Sequence, residues 1–150
     1  MNLSIRVATE VDAGRIGNLC DQLGYETSEE DIKLRIKNIS LEPNSAVYVA
    51  DTDGVVVGWL QVEIRQILES GEFAEITGLV VDKDYRRKGI AASLVSQAEE
   101  WAKMKGEEEI RVRTNLLRLE SLPFYRSLGF GETKRQVVFL KGLKKRGSPP

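Results

Sequence analysis

Histidine is absent from this chain, and cysteine occurs once, at Cys20. The first absence excludes a histidine general base, a histidine metal ligand and a Ser/His/Asp triad. Carboxylates, tyrosine, lysine, serine and threonine are left for proton transfer. A single cysteine can form neither an internal disulfide nor a thiolate metal cluster, which suits a reducing cytoplasm, and no metal is expected. Cys20 stands near Leu19 and Leu23 in an apolar helical pattern, the setting of a buried thiol rather than of a nucleophile. No apolar run approaches the length of a membrane span, and the N-terminus has no signal-peptide core, so a cytoplasmic protein without a membrane partner is expected. The 22 Lys and Arg nearly cancel the 23 Asp and Glu. With no global field, nucleic acid is not an expected partner, and any cation-dependent binding must be local.

At 150 residues and 41% hydrophobic, the chain is long enough to bury a core as one domain. Residues 1–143 are expected to form it, and residues 144–150, where periodicity ends among Lys, Arg and Pro, a flexible basic tail. Alternating polarity over residues 3–8 predicts a half-buried strand. Residues 13–23 predict a helix with Ile16, Leu19, Cys20 and Leu23 inward. Thr27-Ser28 caps a second helix whose apolar face holds Ile32, Ile36 and Ile39. The link between these helices, Gly24-Tyr25-Glu26-Thr27, reads either as a plain turn or as a substrate wall. Residues 46–50 and 55–64 predict a hairpin turning at Asp53-Gly54, and residues 73–81 a further strand of the same antiparallel meander.

Residues 79–101 then join strand, basic glycine loop and helix without a gap. Leu79, Val80 and Val81 end the strand at Asp82, and Arg86-Arg87-Lys88-Gly89 leads into a helix with Ile90, Leu94, Val95, Ala98 and Trp101 on one stripe. Free amides at a helix start, preceded by cations and a glycine, form a site for a phosphate or pyrophosphate. A plain turn with a solvated basic loop has the same spacing. Residues 109–114 alternate as another strand, made parallel to 73–81 by a right-handed crossover, so their carboxyl ends meet at the basic loop. Leu117, Ser121, Phe124, Tyr125 and Leu128 then suit a short helix, with Gly129 as its left-handed cap and Phe130 folding back. Residues 133–140 read as a final strand.

Two segments together resemble a known family. Arg86-Arg87-Lys88-Gly89-Ile90-Ala91 is similar to the Arg/Gln-x-x-Gly-x-Gly/Ala signature of the GNAT N-acetyltransferases, with alanine in place of the commoner last glycine. Phe124-Tyr125-Arg126-Ser127-Leu128-Gly129-Phe130 resembles their Phe-Tyr-x-x-Leu-Gly-Phe signature, in the family's order and at its spacing. The resemblance covers nearly the whole chain. It implies an α/β (α+β) fold with a mixed, mostly antiparallel sheet of about seven strands and about four helices, splayed between the strands ending at Val81 and Thr114. It implies transfer of acetyl from acetyl-coenzyme A to a primary amine by direct attack. The run from Asn115 to Arg118, followed by Phe124-Tyr125, resembles small-molecule and aminoglycoside-type members more than those acting on ribosomal proteins.

The resemblance also assigns roles. The pyrophosphate would lie on Arg86, Arg87, Lys88, Gly89, Ile90 and Ala91 at the helix start, with Ser93 nearby. The pantetheine arm would pair with the edge of Leu79, Val80 and Val81 beside Asn115 and Phe124, and the Leu79 amide would polarise the thioester carbonyl. Tyr125 matches the family's general acid, and Glu75 is the candidate base. The bland readings are a half-buried aromatic for Tyr125 and an outward, ion-paired strand residue for Glu75. For the acceptor, Tyr25, Glu26, Trp59, Gln61, Glu63 and Arg65 are candidates by position, and acidic Glu26 and Glu63 favour a cationic amine. A non-catalytic acyl-coenzyme A sensor on the same fold is the alternative function. The strand from Val55 to Leu68 and the final strand offer a homodimer surface.

Overall fold

The computed structural model describes residues 2–115, 118, 120–144 and 147. Five strands, β1 (Leu3–Val7), β2 (Ser45–Thr52), β3 (Val55–Ile67), β4 (Gly71–Val81) and β5 (Ile110–Val112), lie side by side in chain order. Four α-helices accompany them: α1 (Ala13–Asp21), α2 (Glu29–Ser40), α3 (Ile90–Met104) and α4 (Ser121–Ser127). The first four strands are antiparallel neighbours, and β5 joins β4 in parallel after the α3 crossover. The mixed sheet and four helices agree with the expected architecture.

Local chemistry explains the boundaries. At the β2–β3 turn both Asp53 (φ 51°) and Gly54 (φ 89°) adopt the left-handed conformation that a two-residue hairpin requires, and Asp51 Oδ1 accepts from the Gly54 amide at 2.7 Å. Ser28 Oγ caps α2 by accepting from Asp31 N at 3.1 Å. The core fills both faces of the sheet. On one, Ile90, Leu94, Val95, Ala98 and Trp101 of α3 pack against Val57, Leu60, Val62, Ala74 and Ile76. On the other, Ile16, Leu19 and Cys20 of α1 and Ile32 and Ile36 of α2 cover Val49, Val56 and Val80. Arg15 of α1 donates to Asp82 Oδ2 at 2.9 Å and to the Val56 carbonyl at 3.0 Å, fastening that helix to the end of β4.

Three expectations change. The described residues form five strands rather than about seven. The parallel strand ends at Val112, not Thr114. The final strand over 133–140 is not formed, and Val137, Val138, Phe139 and Leu140 are 77%, 83%, 90% and 93% exposed. A strand exists only through a neighbour that pairs its amides and carbonyls, and the segment meets none among the described residues. Leu117 and residues 145, 146 and 148–150 of the tail lie outside the described residues. No described helix is long and apolar enough to cross a membrane.

Candidate active site

Strand β4 is the axis of the site. It pairs with β5 only at Ala74, Glu75 and Ile76, opposite Ile110, Arg111 and Val112, yet it continues to Val81. Beyond Ile76 the sheet opens. At that point the β3 register slips between Gln61 and Val62, which pair with Gly78 and Ile76 and leave Thr77 as an extra residue. The Ala74 amide donates to Glu109 on the β5 side, while the Asp82 amide donates to Val57 on the β3 side. Amides alternate along a strand, so counting back from Asp82 puts those of Val81 and Leu79 on the open edge. Past Ile76, then, β4 presents an edge that β5, ending at Val112, does not cover.

At the upper end of this opening the chain forms an anion cradle. Arg87 (φ 62°) and Gly89 (φ 78°) are both left-handed, and Gly89 is the N-cap of α3. A β-carbon on Gly89 would meet nothing within 4 Å, so the glycine serves conformation and leaves the approach open. Ser93 N is the first helical amide to find a carbonyl, that of Gly89 at 3.0 Å. The amides of Ile90, Ala91 and Ala92 therefore have no partner within the helix. Arg86, Arg87 and Lys88 are exposed around them, whereas Ile90 is 1% exposed and anchors the turn in the core. Ser93 Oγ donates back to the Gly89 carbonyl at 3.0 Å. Free amides, a glycine and cations fit a pyrophosphate.

Below the cradle, a cavity of about 460 Å³ lies between the open edge of β4, the chain after β5, α1, α2 and the start of α4. Leu79, Val80, Asn115 and Tyr125 of the expected site line it. Tyr125 is held by the expected signature: the Gly129 amide donates to Arg126, the Phe130 amide donates to Tyr125, and the Tyr125 ring packs edge-on to Phe124 and Phe130 at 5.0 and 5.7 Å. Burial pushes the Tyr125 phenol above its ordinary value, against an opposing effect of the Arg118 charge. It is protonated at neutral pH and faces the cavity, as a general acid must.

Glu75 occupies a different position. It is 2% exposed and does not line the cavity. Its Oε1 forms ion pairs with Arg113, 3.0 Å from Nε, and with Arg65, 3.6 Å from Nη1. Arg113, which does line the cavity, is the link between Glu75 and the interior. Of the acceptor candidates, Tyr25, Trp59 and Gln61 reach the wall, while Glu26, Glu63 and Arg65 do not. Glu63 turns instead to Arg65, at 3.5 Å, on the neighbouring position of the same sheet face.

The sequence reading missed Arg35 and Arg113 as wall residues, whereas Thr27, from the helix link read as a turn or a substrate wall, does line the cavity. In the sequence Arg113 alternates with Val112 like any solvated strand cation, and Arg35 sits on a helix whose apolar stripe draws all the attention. Cys20 also reaches the cavity, and burial raises its thiol above the ordinary range, so it is no nucleophile at neutral pH. Among the described residues, no cluster of three or more potential metal ligands occurs.

Comparison with known proteins places this arrangement in a class. The profile of the Acetyltransferase (GNAT) family matches residues 16–130, and the chain belongs to that family. It is an acetyl-coenzyme A-dependent acyltransferase, with the coenzyme as acyl donor. The chain is 33% identical over 121 residues to the aminoglycoside N(6')-acetyltransferase type 1 of Serratia marcescens, covering 77% of this chain and 83% of that protein. Among solved structures, a transcriptional regulator from Bacillus halodurans C-125 superposes with a TM-score of 0.84 at 28% identity, over 93% of this chain and all (100%) of that one. The aminoglycoside antibiotic 6'-N-acetyltransferase AAC(6')-IG from Acinetobacter haemolyticus superposes with a TM-score of 0.80 at 28% identity, over 96% of this chain and 100% of that one.

Proposed function

We propose that the protein transfers acetyl from acetyl-coenzyme A to a primary amine by direct attack within a ternary complex. The observation that carries this reading is Tyr125, fixed between Phe124 and Phe130 and lining a cavity that begins where β4 runs on beyond β5. The bound donor supplies a thioester and a pyrophosphate. Gly89, Ile90, Ala91 and the flanking Arg86, Arg87 and Lys88 hold the pyrophosphate end, and the open edge of Leu79 to Val81 pairs with the amides of the arm. The Leu79 amide donates to the carbonyl oxygen as it gains charge. Tyr125 protonates the departing sulfur. With no histidine and a raised Cys20 thiol, the chain offers no activated nucleophile for a covalent acyl-enzyme.

Glu75 reaches the cavity only through Arg113, so its role is to position that arginine, and the amine loses its proton to water at the cavity mouth. The names of relatives support an aminoglycoside-type amine as an acceptor class to assay. We also propose a homodimer. Its support is the stretch 133–140, whose strand-like pattern leaves apolar side chains exposed, and the outer edge of β5, which ends the sheet with no neighbour among the described residues. Sedimentation checks it: the full chain should be dimeric, and one ending at residue 132 monomeric. A monomeric full chain would defeat the dimer.

The enzymatic reading is tested by titrating acetyl-coenzyme A calorimetrically and following thiol release across an amine panel. Binding with amine-dependent release supports it. Binding without turnover on any amine would favour a sensor of acyl-coenzyme A, and absence of binding would refute the donor assignment.

A further inference from the structure

The charged side chains in the cavity wall are all cations. Arg35 of α2, Arg113 after β5 and Arg118 all line it, and among the described lining residues there is no Asp or Glu. Arg113 is neutralised by Glu75, but neither Arg35 nor Arg118 has a carboxylate within ion-pair distance among the described residues. Arg118 instead lies over the Tyr25 ring, 5.9 Å from its centroid. Both charges act on the interior. Arg35 lowers the Cys20 thiol, and Arg118 lowers the Tyr125 phenol, each against the dominant effect of burial.

The polar atoms of two further wall residues are enclosed by protein. Thr27 Oγ1 is buried without a hydrogen bond, and so is Trp59 Nε1, whose approach to the Cys20 sulfur is at most a weak contact. Neither atom is open to the cavity, so the selectivity of the wall rests on its charges. A polycationic amine would meet two unpaired guanidinium groups and no carboxylate, which is repulsive in a partly desolvated cleft. An anion planar enough for a guanidinium fork meets complementary partners in Arg35 and Arg118.

We propose that the acceptor is a small amine whose own molecule carries a carboxylate, with Arg35 and Arg118 holding the carboxylate and its apolar part against Tyr25 and Trp59. This rests on the acetyl-transfer reading and narrows it. It selects against polycations even though relatives are named for aminoglycosides.

The experiment compares amines in matched pairs on the acetyl-coenzyme A-loaded protein: aliphatic and aromatic amino acids against their carboxamides, with kanamycin and spermidine as polycations. Thiol release gives kcat/KM, and calorimetry on the coenzyme A-loaded protein gives the affinity of each N-acetylated product. The carboxylate member should exceed its amide by about tenfold or more in both measurements. Arg35→Gln and Arg118→Gln should each remove about tenfold of that preference while leaving the coenzyme A affinity unchanged. Equal values within the pairs, or higher kcat/KM for the polycations, would overturn the proposal. Acetyl-coenzyme A binding with neither turnover nor product binding anywhere in the panel would overturn it too, leaving the donor site intact. Failure to bind acetyl-coenzyme A would instead bring down the acetyl-transfer reading and this proposal with it.

Discussion

The indole of Trp59 lies so close over Gly78 that a β-carbon there would stand 2.7 Å from two of its ring atoms. The glycine is required by this close approach and not by its dihedral angles, since its φ is not left-handed. Gly78 follows the extra residue Thr77 and precedes Leu79, so the contact ties the acceptor wall to the open edge of β4. In Gly78→Ala the ring must swing away, and the free side is the cavity. Acceptor KM should rise at least severalfold with acetyl-coenzyme A affinity unchanged, and stability should fall by about 1–3 kcal/mol. Adding Trp59→Phe should recover much of both losses. Thermal denaturation and tryptophan fluorescence report the ring movement independently of turnover.

Replacing Tyr125 by Phe removes the acid and little else, because the ring's packing on Phe124 and Phe130 uses no hydroxyl. The rate should fall by about 10²–10⁴-fold in kcat while acetyl-coenzyme A affinity is retained. The pH dependence has a definite sign. Burial favours the neutral phenol, so its loss of a proton occurs above the ordinary value of 10.0. The acid is therefore competent throughout neutral and mildly alkaline solution, and any alkaline limb it causes in kcat lies above pH 10.0. An alkaline limb between pH 7 and 9 that vanishes in the Phe variant would contradict this assignment.

Much of this site could be read from residue order because it is written in local chemistry. The glycine that caps α3, the apolar stripe behind it and the Phe-Tyr signature with its glycine cap each act within a few residues of themselves. The acceptor side was less legible. Arg35, Arg113 and Arg118 come from α2, the end of β5 and the approach to α4, and only the tertiary fold aims them into one cavity. Glu63, expected there from its position, is claimed by a neighbouring arginine, a pairing that strand alternation alone does not predict. The stretch 133–140 shows the reverse failure. Its pattern is that of a strand, but pairing is a property of two segments, and the second is not in the same chain's described sheet.

For Glu75, base and positioning roles predict different kinetics. If it holds Arg113 and Arg65 in place, Glu75→Gln keeps an acceptor for one guanidinium, raises acceptor KM, and preserves the shape of the kcat profile against pH. Stability should drop by about 1–3 kcal/mol, since two guanidinium groups lose their charged partner. Arg113→Ala should produce a similar KM effect, because it breaks the same link from the other side. Were Glu75 the base, its Gln variant would lose kcat by orders of magnitude with the acidic limb abolished, and Arg113→Ala would not reproduce that loss.

The clamp between Arg15 and Asp82 makes acid stability a readout of the fold at the site. Asp82 is 6% exposed, and the Asp84 amide, donating at 3.0 Å, holds its carboxyl below the ordinary 3.8, with Arg15 adding to the effect against the cost of burial. A carboxylate whose folded value is depressed stabilises the protein fully above its unfolded value and loses that contribution as pH falls through the folded one. Asp82→Asn should therefore cost about 1–3 kcal/mol at pH 7, and the wild-type and variant curves should converge below pH 3.8. Denaturant melts at a series of pH values test this. Because Asp82 ends β4 and caps the turn that leads into the α3 cradle, the variant should also bind acetyl-coenzyme A more weakly at neutral pH. A variant as stable as the wild type at pH 7 would show that the clamp contributes nothing beyond what water offers the same groups.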